Sequence, residues 1–259
     1  MIDLHMHSTY SDGTESCSTI LKKCQNKNLD FISITDHNTA LGYEELEDKN
    51  ISSLFNGHII PGIELNTKVL NIPIEILGYG IDYKKMNELV KKYIFLLRKE
   101  ITKHKENKKL LSEYAWNSSK IFYRQYMSDP KTKLYVEMDD LVPDFETACN
   151  LIRKARGLVF IPHIYEYKKN SETILKHILQ NYKIDGIECY YTTFTEAQHK
   201  KLLNICKEHN LFISGGSDFH GNPERKNQMG VCINHDGFIP KELLSTWKKD
   251  KLNIKKLVK

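Results

Sequence analysis

The stretch that best predicts the fold opens the chain: Asp3-Leu-His-Met-His-Ser-Thr-Tyr-Ser-Asp-Gly-Thr14. Its apolar start, Ile2 to Met6, is typical of a β-strand, and the period-two alternation of strand side chains sends His5 and His7 to the same face. Two imidazoles on one face form a chelating pair, and Asp12 follows closely. Because an isolated pair of this kind is more often structural than metal-binding, the rest of the chain decides its meaning.

Similar polar clusters accompany four later apolar segments. They are Thr35-Asp-His-Asn38, Pro61-Gly-Ile-Glu64, Ile161-Pro-His163 and Gly215-Gly-Ser-Asp-Phe-His220. In parallel α/β folds the carboxyl ends of the strands gather on one face, where active sites are found. Burying so many charged groups without metal ions would be costly. The pattern therefore predicts a metal site built from His5, His7, Asp12, His37, Glu64, His163, Asp218 and His220.

The alternation of strands and helices predicts the fold class. Helical patterns separate most of the short apolar segments, which indicates parallel βα units and an α/β fold. The predicted strands are Ile2–Met6, Phe31–Thr35, His58–Ile63, Ile74–Leu77, Leu158–Ile161, Ile184–Cys189, Leu211–Ser214 and Gly230–Ile233. After Asp82 a long predicted helix, Lys85–Ser112, breaks this order. We predict a single catalytic domain over residues 1–259 with a helical insertion at 83–140.

Composition excludes several classes of protein. The chain has 259 residues, of which 40% are hydrophobic and 27% charged, so it is not a disordered protein. The net charge of +5 comes mainly from a lysine-rich segment between Lys84 and Lys109, which is either a solvated helix face or an attractor of phosphate groups. The chain shows neither a signal peptide nor an apolar run of about 18 residues, so we expect a cytoplasmic protein with no membrane contact. No obligate protein partner is predicted, and the six cysteines are expected to be reduced thiols.

The ligand types indicate the ions and the chemistry. Imidazole and carboxylate without thiolate suit Zn, Mn or Fe, and the number of ligands suggests more than one ion. Two or three divalent ions close together are the arrangement used for phosphoester hydrolysis by a metal-bound hydroxide, with side chains of the cluster assisting proton transfer. The candidate catalytic residues are His5, His7, Glu64, Asp218 and His220.

Taken with Ile34-Thr-Asp-His-Asn-Thr39, Pro61-Gly-Ile-Glu-Leu65, Ile76-Leu-Gly-Tyr79, Gly186-Ile-Glu188 and Gly216-Ser-Asp-Phe-His-Gly221, these motifs closely resemble the PHP (polymerase and histidinol phosphatase) family. The resemblance covers roughly residues 1–82 and 140–235. It implies a distorted (β/α)7 barrel with a trinuclear metal site on its C-terminal face.

The resemblance also implies how the ligands are shared. The first ion would take His5, His7, Glu64 and Asp218; the second Glu64 and His163; and the third Asp12, His37 and His220. This chain departs from the family at Glu75, where a histidine usually stands. Glu75 either ligates the second ion, which would favour harder ions such as Mn or Mg, or turns away and leaves that position weak.

Substrate identity is less well indicated. The wording of the motifs is closer to the stand-alone branch of the family, which acts on nucleotides or short oligonucleotides, but its usual Gly-Arg-Pro-His phosphate-binding segment is absent. Lys120, Arg124 and Arg225 are candidate substitutes. One alternative is a phosphatase for an amino-alcohol phosphate such as histidinol phosphate, with Tyr165 or Glu166 recognising the amine. Another is a non-catalytic nucleic-acid-binding or regulatory module with a structural metal site.

Overall fold

The computed structural model of the protein describes residues 1–47, 51–101, 142–222, 227–233 and 237–247. It has an α/β fold whose strands form mixed sheets. The strands are β1 (Ile2–Met6), β2 (Phe31–Ile34), β3 (His58–Ile59), β4 (Gly62–Val69), β5 (Ile72–Tyr79), β6 (Leu158–Ile161), β7 (Gly186–Tyr191), β8 (Phe212–Gly216), β9 (Val231–Cys232) and β10 (Gly237–Phe238). The α-helices are α1 (Cys17–Asn26), α2 (Leu41–Glu47), α3 (Tyr83–Ile101), α4 (Phe145–Lys154), α5 (Ser171–Asn181) and α6 (Glu196–Glu208). Short 3-10 segments cover Ile51–Ser53, Ile164–Asn170 and Lys241–Thr246.

Three of the helices begin at side chains that cap them. The hydroxyl of Ser16 accepts a hydrogen bond from the amide of Thr19 at the start of α1, and Asp144 caps α4 in the same way. At α6, Thr195 and Gln198 form a reciprocal capping box. Such caps satisfy amides that have no partner within the helix, so the starts of these helices are encoded locally.

The sheets contain antiparallel pairs that the sequence did not predict. Strands β1, β2 and β3 pair in parallel, as do β6, β7 and β8, but β5 lies antiparallel to both β4 and β6. The predicted strand His58–Ile63 is divided between β3 and β4, and β4 continues to Val69. A tight turn at Leu70 and Asn71, with φ values of 52° and 59°, joins β4 to β5. The prediction of purely parallel βα units was therefore wrong at this hairpin.

The two larger sheets contact each other at two places, one beside β1 and β8 and the other between the segment after β2 and β4. Isolated bridges join Met6 to Phe219 and His37 to Glu64. The amide of His7 donates to the carbonyl of Phe219 at 2.8 Å, and β8 approaches β1 closely because Gly216 has no side chain: a Cβ there would lie 2.1 Å from the Cβ of His5. Within the described residues, the hydrogen-bonded strand pairs do not form one closed ring through both sheets. The distorted (β/α)7 barrel therefore stays a prediction.

Helix α3 accounts for the start of the predicted insertion. The helix predicted to begin at Lys85 begins at Tyr83, and the structure describes it as far as Ile101. Its predicted end at Ser112 and the rest of the 83–140 insertion lie outside the described residues. In the part of the chain that the structure describes, none of the helices combines the length and the apolar character needed to cross a membrane.

The turn between β4 and β5 generates a stability prediction. Leu70 is 49% exposed and holds a left-handed backbone that costs a leucine about 1 kcal/mol, whereas asparagine adopts it readily. We expect Leu70→Asn to raise the free energy of unfolding by about 1 kcal/mol in urea titrations. Leu41→Asn is the control, because Leu41 is 42% exposed but lies in helix α2. Equal effects of the two substitutions would contradict this account of the turn.

Candidate metal centre

The structure brings all nine predicted metal-binding side chains together at the ends of the strands. They fall into overlapping groups, and within each group one nitrogen or oxygen atom from every residue lies within 4.8 Å of the others. The groups are His5, His7 and Asp218; His5, Glu64 and His163; His37, Glu64 and Glu75; and His7, Asp12, His37 and His220. The convergence predicted from separate motifs is therefore present in the fold.

The first group joins the two edges where β1 and β8 meet. Nε2 of His7 lies 3.1 Å from Oδ1 of Asp218, and Nε2 of His5 lies 3.5 Å from the same oxygen. The two Nε2 atoms are 3.2 Å apart. One carboxylate oxygen and two imidazole nitrogens thus point at a common centre.

Glu64 lies in the middle of the cluster and is 1% exposed. Its Oε2 has no hydrogen-bond partner, although it lies 3.0 Å from Nδ1 of His37, 3.4 Å from Nε2 of His7 and 3.5 Å from Nε2 of His5. Its Oε1 lies 2.8 Å from Nε2 of His163. Neighbouring ligands on one ion, with bonds of about 2.1 Å, are separated by about 3.0–3.4 Å. These spacings fit divalent ions shared through the Glu64 carboxylate.

Asp12 organises the group on the opposite side. Its Oδ1 lies 3.1 Å from Nε2 of His220, 3.6 Å from Nε2 of His37 and 3.9 Å from Nδ1 of His7. His220 is 3% exposed, and its Nδ1 lies 2.8 Å from the carbonyl oxygen of Asp218. That contact assigns the ring proton to Nδ1 and leaves the lone pair of Nε2 facing Asp12.

Glu75 faces the cluster rather than turning away. Its Oε1 lies 3.5 Å from Nδ1 of His37, and its Oε2 lies 3.6 Å from Nε2 of His163. The residue that departs from the family pattern therefore lies in one of the groups of side chains that could hold an ion.

Burial and neighbouring charges shift the pKa values of the cluster strongly. Burial lowers the pKa of His5, but the charges of Glu188, Glu64 and Asp218 outweigh burial and raise it well above its usual value. Burial also lowers the pKa of His163, yet its hydrogen bond to Glu64 raises it to about 9. For Glu64, burial raises the pKa, and the charges of His37 and His5 hold it well below the normal range. Since ions bind neutral imidazole, divalent ions and protons compete for these nitrogens.

Several supporting residues were not predicted as part of the site. Oε1 of Glu188 lies 3.0 Å from Nδ1 of His5, and its Oε2 accepts a hydrogen bond from the backbone amide of His163 at 2.8 Å. The hydroxyl of Tyr191 donates to Oδ2 of Asp218 at 2.9 Å. These residues contact the candidate ligands from outside the cluster. The contact between Glu188 and Nδ1 of His5 directs Nε2 of His5 toward the inside of the cluster. Glu188 belongs to the motif Gly186-Ile-Glu188 that carries part of the family resemblance. Its role, however, depends on a contact with His5, which lies 183 residues away in the sequence.

Two more carboxylates hold the loops that carry ligands. Asp3 is fully buried and accepts hydrogen bonds from the hydroxyl and amide of Ser217 and the amide of Gly230, and burial raises its pKa to about 6. Asp36 accepts from the amide and hydroxyl of Ser8 and from the hydroxyl of Ser11. The loop after β1, which carries Ser8 and Ser11, and the loop after β8, which carries Ser217, are therefore each anchored by a buried carboxylate that accepts several hydrogen bonds.

The backbone is strained at two of the ligands. His163 has a φ of 24° and Asp218 a φ of 54°, in the left-handed region that non-glycine residues rarely adopt. Such strain persists only where surrounding contacts impose it, and it is frequent at functional sites. Here Glu188 and Tyr191 provide contacts that hold the two residues in place.

An open cavity of about 320 Å³ lies over the cluster. Its described lining includes four carboxylates, from Glu64, Glu75, Glu166 and Asp218, and no lysine or arginine. Of the two residues predicted for amine recognition, Glu166 lines the cavity, whereas the ring of Tyr165 packs against Phe194. The predicted substrate-binding residues Lys120, Arg124 and Arg225 lie outside the described residues.

The fold and the convergent side chains define an α/β protein with a candidate multinuclear metal centre. A family model of the PHP domain matches residues 3–228. The chain therefore belongs to the PHP domain family, as its motifs predict.

Similar proteins have been named for hydrolysis of phosphodiesters. A 5'-3' exoribonuclease of Haemophilus influenzae is 26% identical over 251 residues, which cover 84% of this chain and 89% of the relative. A phosphoribosyl 1,2-cyclic phosphate 1,2-diphosphodiesterase of Eggerthella lenta is 20% identical over 262 residues, covering 89% and 98%. An amidohydrolase from Chromobacterium violaceum with bound sulfate matches with a TM-score of 0.68 at 20% identity, covering 95% of this chain and 96% of that one. The last similarity shows a shared fold.

The contacts of Glu188 lead to a prediction about ion affinity. Glu188→Gln replaces one acceptor with a donor, so it must lose either the contact with His5 or that with His163. We expect the affinity for Mn²⁺ to fall by about 10- to 100-fold in titrations against a competing chelator. Glu196→Gln is the matched control, since Glu196 is an exposed residue of α6 that pairs with exposed Lys200. An unchanged affinity in Glu188→Gln would show that Glu188 does not position the ligands.

Proposed function

We propose that the chain is a metal-dependent phosphoesterase that hydrolyses phosphate esters, with nucleotides or short oligonucleotides as substrates. The observation that carries this proposal is the buried Glu64 carboxylate, whose oxygens lie within 3.5 Å of nitrogens from four histidines. The names of the two relatives above support the substrate class.

The residues fit two or three divalent ions, with Zn, Mn or Fe favoured by the ligands and Mg allowed. His5, His7, Glu64 and Asp218 would hold the first; Glu64, Glu75 and His163 the second; and Asp12, His37 and His220 the third. Bound ions would lower the pKa of a water molecule and hold phosphate oxygens. The chain itself orients the ligands through Glu188 and Tyr191, and it places Asp218 in the lining of the cavity and Oδ1 of Asp12 at 3.1 Å from Nε2 of His220.

The proposal extends to the architecture. We infer that the two larger sheets form one distorted (β/α)7 barrel, because β3 and β4 are parts of one bent segment and β8 contacts β1. The single domain at 1–259, the insertion at 83–140, a cytoplasmic location and the absence of an obligate protein partner remain proposals of the same kind.

The acidic cavity makes phosphate binding depend on metal. A phosphate dianion would be repelled by the carboxylates of Glu64, Glu75, Glu166 and Asp218 unless cations stood between them. We expect inorganic phosphate to bind the Mn²⁺-loaded protein and not the chelator-treated protein, as measured by calorimetry. Equal binding to both forms would overturn this view of the cavity.

His5 provides the direct test of hydrolysis. We expect His5→Ala to lower the hydrolysis of an aryl phosphate by on the order of 1000-fold, because ions stabilise the transition state by several kcal/mol. The loss should coincide with fewer ions per chain in elemental analysis. His209→Ala, at an exposed histidine after α6, is the control. Protein that binds ions and hydrolyses no phosphate ester would favour a non-catalytic module, whose nucleic-acid binding should weaken steeply with salt.

A second candidate function has one observation in its favour. Glu166 lines the cavity, and its carboxylate accepts from the hydroxyl of Thr193 at 2.5 Å, so it stands where an amine could be recognised. A histidinol-phosphate-type phosphatase would use it. Comparing the kcat/KM of the enzyme for histidinol phosphate, nucleoside monophosphates and short oligonucleotides separates the two candidates.

Three basic residues that lie in parts of the chain the structure does not describe are proposed to bind the substrate. We expect Lys120→Ala, Arg124→Ala and Arg225→Ala each to raise KM for an oligonucleotide about tenfold with little change in kcat, since a lost ion pair with phosphate is worth about 1–2 kcal/mol. Kinetics at two salt concentrations measure this effect. Unchanged KM values in all three variants would exclude these residues as the phosphate-binding set.

A further inference from the structure

Glu75 and Glu64 span the same two histidines. Glu64 places Oε1 at 2.8 Å from Nε2 of His163 and Oε2 at 3.0 Å from Nδ1 of His37. Glu75 places Oε2 at 3.6 Å from the same atom of His163 and Oε1 at 3.5 Å from the same atom of His37. Each of the two carboxylates therefore lies between the same two imidazole nitrogens, with one oxygen near each nitrogen.

The backbone favours this arrangement. Glu75 lies on β5, opposite Asn66 of the adjoining β4, the strand that also carries Glu64. The amide of Glu75 donates to the hydroxyl of Tyr167 at 2.8 Å, and Tyr167 belongs to the segment that directly follows His163. The distance between Glu75 and His163 is therefore constrained by a hydrogen bond outside the cluster.

We propose that Glu64 and Glu75 form a double carboxylate bridge between the second ion, on the side of His163, and an ion held at Nδ1 of His37, so that His37 binds this ion in place of the one beside Asp12 and His220. This inference rests on the proposed function only in taking the cluster to be a divalent-metal site. Two ions in such catalytic centres lie about 3.5–4 Å apart, a separation that a carboxylate spans with one oxygen on each ion. Oε2 of Glu64 is buried, has no hydrogen-bond partner among the described residues and lies 3.0 Å from Nδ1 of His37.

The double bridge changes which ions the centre prefers. Four carboxylate oxygens and two imidazole nitrogens make a harder and more negative set of ligands than one carboxylate and three imidazoles would. Hard oxygen ligands suit Mn²⁺ and Mg²⁺, whereas imidazole favours Zn²⁺. Relative to the histidine usual in the family, Glu75 thus shifts the selectivity of this chain from Zn²⁺ toward Mn²⁺.

The test measures ion binding and magnetic coupling in the full-length protein. Wild type, Glu75→His and Glu75→Gln are stripped with chelator and titrated with Mn²⁺ and with Zn²⁺ against a competing chelator. We expect Glu75→His to lower the ratio of Mn²⁺ to Zn²⁺ affinity at least tenfold and Glu75→Gln to weaken the second Mn²⁺. The control Glu196→Gln, at an exposed carboxylate on α6, should leave both affinities unchanged.

Electron paramagnetic resonance of the wild type gives a readout that does not depend on any variant folding. With two equivalents of Mn²⁺, a carboxylate-bridged pair gives an exchange-coupled spectrum. A spectrum of uncoupled Mn²⁺ at full loading, or an unchanged affinity ratio in a folded Glu75→His variant, would overturn the proposal. Coupled Mn²⁺ in a protein without phosphoesterase activity would instead uphold the bridge and reject the proposed function.

Discussion

The rest of the structure depends on how the buried charge of Glu64 is balanced. A carboxylate that is 1% exposed is stable only where opposite charge or metal ions surround it. Imidazole nitrogens of four histidines, which come from three different segments of the chain, meet that need, and each segment must end close to Glu64 for the balance to work. The close approach of β8 to β1 at Gly216 and the anchoring of the β8 loop by Asp3 follow from this requirement. The fold around the site is therefore organised by electrostatics as much as by its apolar core.

The orientation of the imidazoles is controlled from outside the cluster. Glu188 lies against Nδ1 of His5, and the carbonyl oxygen of Asp218 lies against Nδ1 of His220, so the ring proton of each histidine is on Nδ1. The Nε2 atoms therefore present their lone pairs to the interior of the cluster. Nothing in this arrangement requires a nucleophilic serine or cysteine. All of the free cysteines are buried among the described residues, and burial raises the pKa of Cys17 to about 12. The chemistry that we propose for the chain is accordingly that of ions held by imidazole and carboxylate.

Sequence patterns were sufficient to predict which side chains converge, and the reason is geometric. Strand ends of parallel βα units gather on one face, so motifs such as Asp218-Phe-His220 could be placed near His5 without knowledge of the register. The hairpin between β4 and β5 was missed because its turn, Leu70-Asn71, lacks the glycine that usually marks such turns. The role of Glu188 could not be predicted, since the contact that defines it joins β7 to β1 across the whole fold. Long-range pairing is what a local pattern does not contain.

The left-handed backbone at Asp218 has a consequence for how this protein could change over evolutionary time. Asparagine tolerates that conformation at least as well as aspartate does, whereas most other residues do not. The substitution most easily accepted at this position is therefore one that keeps the shape of the loop and removes the ligand charge. A descendant that had lost its chemistry in this way would still superimpose on its active ancestor. Structural similarity alone would therefore not distinguish an active protein from an inactive one.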